Sequence, residues 1–273
     1  MLPLTKPTAS RQRGFTLIEM VMVIVIMGVI GGIVAVFMKS PIDAYFDSAR
    51  RAALTDVADT AARRMARDIR KALPNSIRNV SNATSQCIEF IPTKTGGRYR
   101  AEEVTVGDNT SLNFSAADAT FNMLGSNNAL LVDQRIVQDD VIAVYNLGIT
   151  GADAYNQDNT SRVSGAPVDG VETQIPIDSK LFPLASGSNR FHFIPKDEKV
   201  VAYVCSTGKL YRTVSTTFTS ACPTTGATNV ASCNFVYNGS DLQRNALVQL
   251  SITFTDRGES VNLYHEVHVN NTP

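Results

Sequence analysis

The sequence lacks a surplus of charge of either sign. Its 25 lysine and arginine residues balance 25 aspartate and glutamate residues. Outside an N-terminal segment and one predicted helix, the basic residues form no block. Scattered, balanced charge offers no electrostatic basis for binding phosphate-rich polymers. The composition therefore predicts a protein with no nucleic-acid partner.

Residues that carry catalysis or bind metals are also scarce. The three histidines are His192, His265 and His268; the last two are three residues apart on a predicted strand, so their side chains point to opposite faces and cannot share one metal. No two cysteines have the short spacing of a zinc knuckle. No serine has the strand–turn–helix setting of a nucleophile, and no phosphate-binding glycine motif follows a strand. These absences predict a protein that is not an enzyme and holds no metal or cofactor.

What the sequence does contain is one long apolar run near its start. Between Phe15 and Met38 the only ionisable residue is Glu19. As a helix the run would measure roughly 36 Å at 1.5 Å per residue, and the hydrocarbon core of a bilayer is about 30 Å thick. Residues 15–38 are therefore predicted to form a single transmembrane helix.

The segment before this run, residues 1–14, is short and basic. It carries Lys6, Arg11 and Arg13 and no acidic residue, which predicts that it stays in the cytoplasm while the rest of the chain is exported. A secretory signal peptide would place its cleavage site after the apolar run. Here the Gly14–Phe15 junction lies before the run, so this segment is not an ordinary signal peptide.

The residues Arg13-Gly14-Phe15-Thr16-Leu17-Ile18-Glu19 resemble the prepilin peptidase site of type IV pilins and type II secretion pseudopilins. The resemblance implies that residues 1–14 are a leader peptide, that the peptidase cuts between Gly14 and Phe15, and that Phe15 becomes the methylated N-terminus. It also implies that Glu19 pairs with the N-terminal amine of a neighbouring subunit during assembly. A carboxylate in a membrane span is costly and usually functional, although a glutamate near the membrane surface that reaches toward water is the alternative interpretation of Glu19.

The same resemblance implies a place in the cell and a set of partners. The precursor would cross the bacterial inner membrane once, with its N-terminus in the cytoplasm and its C-terminal domain in the periplasm, before entering a pilus. Its partners would be the prepilin peptidase, the major and other minor pilins, the inner-membrane pilus assembly platform and membrane lipid.

The helical pattern continues beyond the apolar run, over residues 39–73. Apolar residues recur at three- and four-residue steps while charged residues occupy the other side, which is typical of an amphipathic helix. Pro41 removes one helical hydrogen bond and is predicted to bend the helix without ending it, whereas Pro74 ends it. The sequence thus predicts one helix from Phe15 to Leu73.

Residues 74–273 contain short extended segments separated by turn residues, which is typical of antiparallel sheets. The predicted strands are Cys87–Ile91, Tyr99–Val106, Leu130–Val137, Val141–Leu147, Phe191–Ile194, Lys199–Cys205, Lys209–Val214, Asn234–Tyr237, Leu247–Thr255 and Glu259–Val269. Two hairpins are predicted, with turns at Ser206-Thr207-Gly208 and Asp256-Arg257-Gly258. The fold class is therefore α+β and pilin-like: a long N-terminal helix, first transmembrane and then amphipathic, packed on an antiparallel β-sheet domain in the periplasm or outside the cell.

The stretch Gly148–Ile175 is rich in Gly, Asn, Asp and Ser and is predicted to be a long exposed loop. Four of its residues carry oxygen ligands that calcium could use: Asp153, Asn156, Asp158 and Asn159. They lack the ligand order of an EF-hand, so an ordinary polar loop is the preferred interpretation.

The cysteines, Cys87, Cys205, Cys222 and Cys233, all follow the membrane span. An even number in an oxidising compartment predicts two disulfides. Cys222 and Cys233 would close a loop of about ten residues, and Cys205 and Cys222 would close a somewhat longer one. In chain-entropy estimates loops of this size are worth roughly 3 kcal/mol each. We favour Cys222–Cys233 with Cys87–Cys205, and a Cys205–Cys222 bond is the alternative.

Several segments of the β-rich region resemble the minor pilins of mannose-sensitive haemagglutinin (MSHA) pilus systems. They include Cys87–Thr93, Gly96–Arg100 and Leu263–Val269. This resemblance implies a minor pilin that enters, or initiates, a type IV pilus for surface attachment. Two alternatives stay open: a pseudopilin of a type II secretion system, and a pilus-tip adhesin that binds a sugar through Gly148–Ile175.

Overall fold

The computed structural model describes residues 14–81, 85–206, 208–222, 232–238 and 245–273. Apart from Gly14, the predicted leader therefore lies outside the described residues. The chain divides into two compact units, one ending at Ala52 and one comprising Ala53–Pro273. Helix α1 (Leu17–Ile69) contributes to both, and the second unit contains all the described strands.

Helix α1 is long and apolar enough to cross a membrane, judged by its length and composition. It continues through Pro41, as predicted. It ends at Ile69 rather than at Leu73, because the chain there joins the β-rich region: the Leu73 N–H donates to the Ile91 carbonyl at 2.8 Å, and Ala72 forms a β-bridge.

Thirteen strands follow within the described residues. They are β1 (Arg78–Asn79), β2 (Gln86–Phe90), β3 (Thr95–Arg98), β4 (Asp118–Met123), β5 (Val141–Ala143), β6 (Thr160–Arg162), β7 (Thr173–Lys180), β8 (Arg190–Ile194), β9 (Val200–Ser206), β10 (Lys209–Ser215), β11 (Cys233–Asn238), β12 (Asn245–Asp256) and β13 (Glu259–Asn270). They form four sheets, ordered β1-β2-β9-β10, β11-β12-β13, β3-β8-β5-β6 and β4-β7. All their pairings are antiparallel, which confirms the predicted fold class.

The end of α1 packs on the first two of these sheets. Met65, Ala66 and Ile69 share a core with residues of β2, β9, β11, β12 and β13. The spacing of apolar residues over 39–73 predicts that Val57 lies on the apolar side of the helix. In the structure Val57 is 56% exposed, and Ala58 and Ala62 are buried instead. Alanine fits this face because a small side chain lets a helix backbone lie close to a sheet. A second core lies between the other two sheets and is rich in phenylalanine.

Both predicted hairpins are confirmed. Strands β9 and β10 pair in register on either side of their turn, of which Thr207 lies outside the described residues. Strands β12 and β13 pair along their whole length. Arg257 and Gly258 between them have φ of 47° and 91°, as a two-residue type I′ turn requires.

The predicted strand Tyr99–Val106 was wrong. Tyr99 makes only an isolated bridge to Met123, and the chain then turns around the carboxylate of Asp108. This carboxylate accepts hydrogen bonds from the Thr110 hydroxyl at 2.7 Å and from the Thr105 N–H at 2.8 Å. These bonds, that of the Thr110 hydroxyl first, lower the pKa of Asp108 to about 2. Such side-chain bonds to nearby backbone compete with strand formation.

The predicted strand Leu130–Val137 was also wrong. A short 3₁₀ turn, Asn127–Ala129, precedes it. The buried Asn127 side chain then bonds both backbone groups of Ile136: its Nδ2 donates to the carbonyl at 3.0 Å and its Oδ1 accepts from the N–H at 2.8 Å. An amide side chain thus takes the place of a partner strand.

The stretch Gly148–Ile175 is not one exposed loop. It contains a 3₁₀ turn at Ala154–Asn156 and the whole of β6, and it enters β7. Asn159 and Val163 are fully buried. Strand β7 was missed because Pro176 interrupts its pattern; Pro176 lies opposite Thr120, beside a register shift in β4, where a strand tolerates proline.

The favoured cysteine pairing was wrong, although the four cysteines do form two disulfides. The bonds are Cys87–Cys222 and Cys205–Cys233. In the β2–β9 ladder Cys87 lies opposite Val204, whereas Cys205 lies opposite Gln86. Because opposite residues share a face and neighbouring residues alternate, Cys87 and Cys205 project from opposite faces of the sheet and cannot be bridged.

Candidate processing and assembly site

The site begins where α1 begins. Thr16 precedes the first helical residue, Leu17, and Glu19 occupies the third helical position. The backbone N–H and the hydroxyl of Thr16 each donate to Glu19 Oε2 at 3.4 Å, and the Glu19 N–H donates to Thr16 Oγ1 at 3.4 Å. This reciprocal arrangement is a capping box, the S/T-x-x-E pattern that satisfies free N–H groups at a helix start. The Thr-Leu-Ile-Glu sequence therefore fixes the helix start two residues after the Gly14–Phe15 junction.

The capping role of Thr16 was not predicted, although its signal was present. The spacing of a threonine and a glutamate three residues apart before an apolar run is itself a helix-start pattern. In the sequence Glu19 stands out for its charge. In the structure the same carboxylate also closes the first helical turn.

The predicted cleavage junction lies in non-helical chain ahead of this cap. A side chain added at Gly14 would meet no atom within 4 Å, and Phe15 is 80% exposed. The junction is thus free of packing against the described residues of its unit, as an accessible cleavage site must be.

Large apolar side chains of the first unit are exposed along α1. They are Leu17, Ile18, Met20, Val21, Met22, Val23, Ile24, Val25, Ile26, Met27, Val29, Ile30, Ile33, Val34, Val36, Phe37, Met38, Ile42 and Phe46. An apolar surface of this extent marks a face that lipid or a protein partner covers. Glu19 lies near the N-terminal end of this surface.

Residues 9–35 match the family model described as the prokaryotic N-terminal methylation motif. No curated protein and no solved structure matches the chain. The matched residues include the predicted cleavage junction, Glu19 and much of the apolar run. The motif identifies a type IV pilin-like prepilin signal and implies processing by prepilin peptidase and pilin assembly. The motif family is structural rather than enzymatic, and the apolar helix is consistent with the membrane anchoring typical of pilins.

Three of the four residues that the sequence offered to calcium, Asp153, Asp158 and Asn159, form hydrogen bonds with nearby backbone. Asp158 Oδ2 accepts from the N–H groups of Gly151 and Asp153, at 3.0 and 3.2 Å. Asp153 Oδ1 accepts from the Tyr155 N–H at 2.9 Å. The Asn159 amide donates to the Val144 carbonyl at 3.0 Å.

The histidines are dispersed. His265 is half-buried and His268 is exposed on β13. Because side chains alternate between the two faces of a strand, these histidines point to opposite faces, as predicted. His192 lies on β8. Among the described residues, no group of three or more His, Cys, Asp or Glu side chains could hold a metal ion.

A buried carboxylate, which sequence reasoning missed, holds the segment that carries Cys222. Glu89 on β2 is fully buried; it accepts from Arg78 Nε at 2.7 Å, from the Ser220 hydroxyl at 2.7 Å and from the Ala221 N–H at 3.1 Å. The Arg78 guanidinium also lies 3.4 Å from the centre of the Tyr155 ring. A buried charge is tolerated only with such partners, so Glu89 fixes the chain beside the Cys87–Cys222 bond.

Proposed function

We propose that the chain is a minor pilin of a type IV pilus. The prepilin peptidase would cut it between Gly14 and Phe15 and methylate Phe15, and the mature protein would pass from the inner membrane into the pilus or its initiation complex. The observation that carries this proposal is the match of residues 9–35 to the methylation motif, because that motif combines the cleavage junction with an apolar helix start. The β-rich unit would then face the periplasm, in agreement with its two disulfides.

Assembly would depend on Glu19. Among the described residues, the hydrogen-bond partners of its carboxylate lie on Thr16, at 3.4 Å, which is long for a hydrogen bond. An N-terminal amine from a neighbouring subunit would offer a full opposite charge. A charge pair in a low-dielectric setting forms favourably only when both groups are docked together. The pair would therefore stabilise only those neighbouring subunits whose helices are in the correct register.

Processing is tested by changing the residue before the junction. We expect Gly14→Ala to leave an uncut precursor in the membrane, because the family resemblance makes glycine the residue at which the peptidase cuts. The measurement is the intact mass and N-terminal sequence of membrane protein from a peptidase-positive strain. Gly28→Ala is the matched control, since a side chain there also meets no atom within 4 Å and the junction is untouched. An N-terminus at Phe15 in the Gly14→Ala protein would contradict the proposal.

The finer assignment follows the resemblance of the β-rich segments to MSHA minor pilins, among them MshO. The alternative is a pseudopilin of a type II secretion system, which would use the same helix. Deletion of the gene, scored for surface pili and for secretion, separates the two. Loss of piliation with the protein recovered in sheared pili supports the minor pilin, and a secretion defect with normal piliation overturns it.

A pilus-tip adhesin that uses Gly148–Ile175 gains no specific support. Much of this stretch is occupied by β6 and by buried residues such as Ala154 and Asn159. Its aromatic residue, Tyr155, donates its hydroxyl to the Ser76 carbonyl at 2.9 Å and stacks with Arg78. That ring is therefore not available to stack on a sugar.

A further inference from the structure

Two arginines lie directly opposite each other on neighbouring strands. In the β3–β8 ladder Arg98 pairs with Arg190, and Gly96 pairs with His192. Opposite residues share a face, with their Cβ atoms roughly 5 Å apart, and like charges in this arrangement are destabilising. Arg190 and His192, two residues apart, lie on the same face. One face of the ladder thus gathers the guanidinium groups of Arg98 and Arg190 beside the imidazole of His192. We call it the cationic face, after its two arginines.

The cationic face has no counter-charge in the described part of the chain. Neither Arg98 nor Arg190 forms an ion pair there, and the Nε2 atom of His192 is buried without a hydrogen-bond partner. Other arginines of the β-rich unit are matched to carboxylates. They are Arg78 with Glu89, Arg100 with Glu172, Arg162 with Asp139 and Asp178, and Arg212 with Asp68 and Glu198. Among the described residues Arg135 has no carboxylate partner either, but its guanidinium donates to the carbonyls of Leu130 and Asn128 at 3.3 and 3.1 Å. What sets the cationic face apart is that two arginines lie opposite each other on paired strands.

The same residues line a shallow cavity of about 440 Å³. Its floor includes the backbone of Gly96, where a Cβ atom would lie 3.0 Å from the Phe191 carbonyl oxygen and 3.2 Å from His192 Nδ1. Leu124, which is 47% exposed, forms an apolar wall. The volume falls within the range of small-ligand sites, roughly 300–1,000 Å³. Arg98 is exposed and Arg190 is half-buried, so both guanidinium groups are accessible from solvent.

We propose that the cationic face binds an acidic polysaccharide through the carboxylate or sulfate group of one sugar. Guanidinium groups bind such oxyanions through two parallel hydrogen bonds, and an anion between Arg98 and Arg190 would relieve their repulsion. The apolar wall would contact the ring of the sugar. Because the site is concave, a sugar unit fits it better than the flat surface of a partner protein. This inference does not depend on the proposed function, since it uses only the β-rich unit.

The test measures binding of the full chain in detergent micelles to four immobilised polymers: polygalacturonate, dextran sulfate, neutral dextran and polyglutamate. The first two separate carboxylate from sulfate. We expect binding to at least one of them and none to neutral dextran. The double variant Arg98→Gln/Arg190→Gln should raise the Kd at least tenfold while the melting temperature stays within a few degrees. Arg98→Lys keeps the positive charge but loses the two parallel hydrogen bonds that a guanidinium group can form. Its Kd should therefore lie between those of the wild type and the double variant.

Arg257→Gln is the matched control, because it removes an exposed arginine at the β12–β13 turn and should change the Kd less than twofold. A second measurement is the His192 imidazole NMR signal, which should move on titration of polygalacturonate or dextran sulfate and stay in place in the double variant. The proposal is overturned if neither acidic polysaccharide binds, or if Arg257→Gln weakens binding as much as the double variant. Tighter binding to polyglutamate than to both acidic polysaccharides would also overturn it, in favour of an acidic protein partner.

Discussion

At the residue scale, Glu19 caps α1 and carries a charge, and substitution can separate the two properties. Glu19→Leu removes both, and Glu19→Gln keeps a cap while removing the charge. We expect both variants to insert in the membrane and be cleaved, because neither change makes the span more polar. Both should then be recovered with other pilins at least tenfold less than wild type, since a partner amine would lack its counter-charge.

The measurement is crosslinking and co-purification from membranes, with a fractionation control for insertion and cleavage. Wild-type recovery of Glu19→Gln with loss only in Glu19→Leu would show that the cap, not the charge, is what assembly requires. The charge-pairing mechanism would then be wrong.

His192 makes stability depend on pH. Burial first, and then the nearby charge of Arg190, lowers the pKa of His192 to about 4, below the value of roughly 6.5 for an unfolded chain. Between these values the unfolded chain binds the proton and the folded chain does not. The contribution of His192 is therefore fully present above pH 6.5 and is lost as the pH falls toward 4.

The test compares wild type with His192→Gln in urea unfolding at pH 7 and pH 4.5. We expect the wild-type loss of unfolding free energy between the two pH values to exceed that of the variant by about 2 kcal/mol, after allowance for partial exposure. Equal losses of unfolding free energy in the two proteins would show that the pKa of His192 is not lowered in the folded chain, and would contradict this prediction.

At the element scale, strands and turns were predicted correctly where residues close together in the sequence determine them. The β12–β13 hairpin has strict alternation and a turn that its own residues specify. The predictions failed where a side chain from elsewhere decided the backbone, as Asn127 does for Ile136. Strand β7 was missed for a related reason, because Pro176 is tolerated only through the irregular pairing with β4.

Gly148 packs closely against the backbone of Asn75, a contact that the sequence around it does not indicate. Its φ is +67°, and an added Cβ would lie 2.6 Å from the Asn75 carbonyl oxygen, so this turn is docked on the chain that leaves α1. We expect Gly148→Ala to lower the unfolding free energy by about 3 kcal/mol, from left-handed strain together with the clash. Gly151→Ala is the matched control, since its φ is +84° but no atom lies within 4 Å; it should lose only about 1 kcal/mol.

Urea unfolding of the two glycine variants beside wild type gives both values. Equal losses at the two positions would mean that the turn can move away from Asn75, and the docking would then add nothing to stability.

At the scale of the whole molecule, the N-terminal unit is far more predictable than the β-rich one. The cleavage motif, the apolar run and the helix are each specified within a few residues, so spacing alone locates them. In the β-rich unit the cationic face depends on the pairing of Arg98 with Arg190, and the buried Glu89 depends on the Ser220 segment. Neither contact is visible before the strand order is known. The candidate processing site was therefore predictable, and the candidate binding site was not.

The cysteine pairing is the property of the whole molecule that is easiest to test. Cys87–Cys222 joins residues 135 apart in sequence, and Cys205–Cys233 joins residues 28 apart. In the chain-entropy view a longer closed loop restricts the unfolded chain more, giving roughly 5 against 3.5 kcal/mol. Replacing Cys87 and Cys222 together by alanine should therefore lower the unfolding free energy by about 1.5 kcal/mol more than replacing Cys205 and Cys233. Urea unfolding of the two double variants measures the difference, and non-reducing peptide mapping of the wild type checks the bonds. A peptide that links Cys222 to Cys233 would contradict the pairing, and a larger loss of unfolding free energy from the shorter loop would contradict the chain-entropy argument.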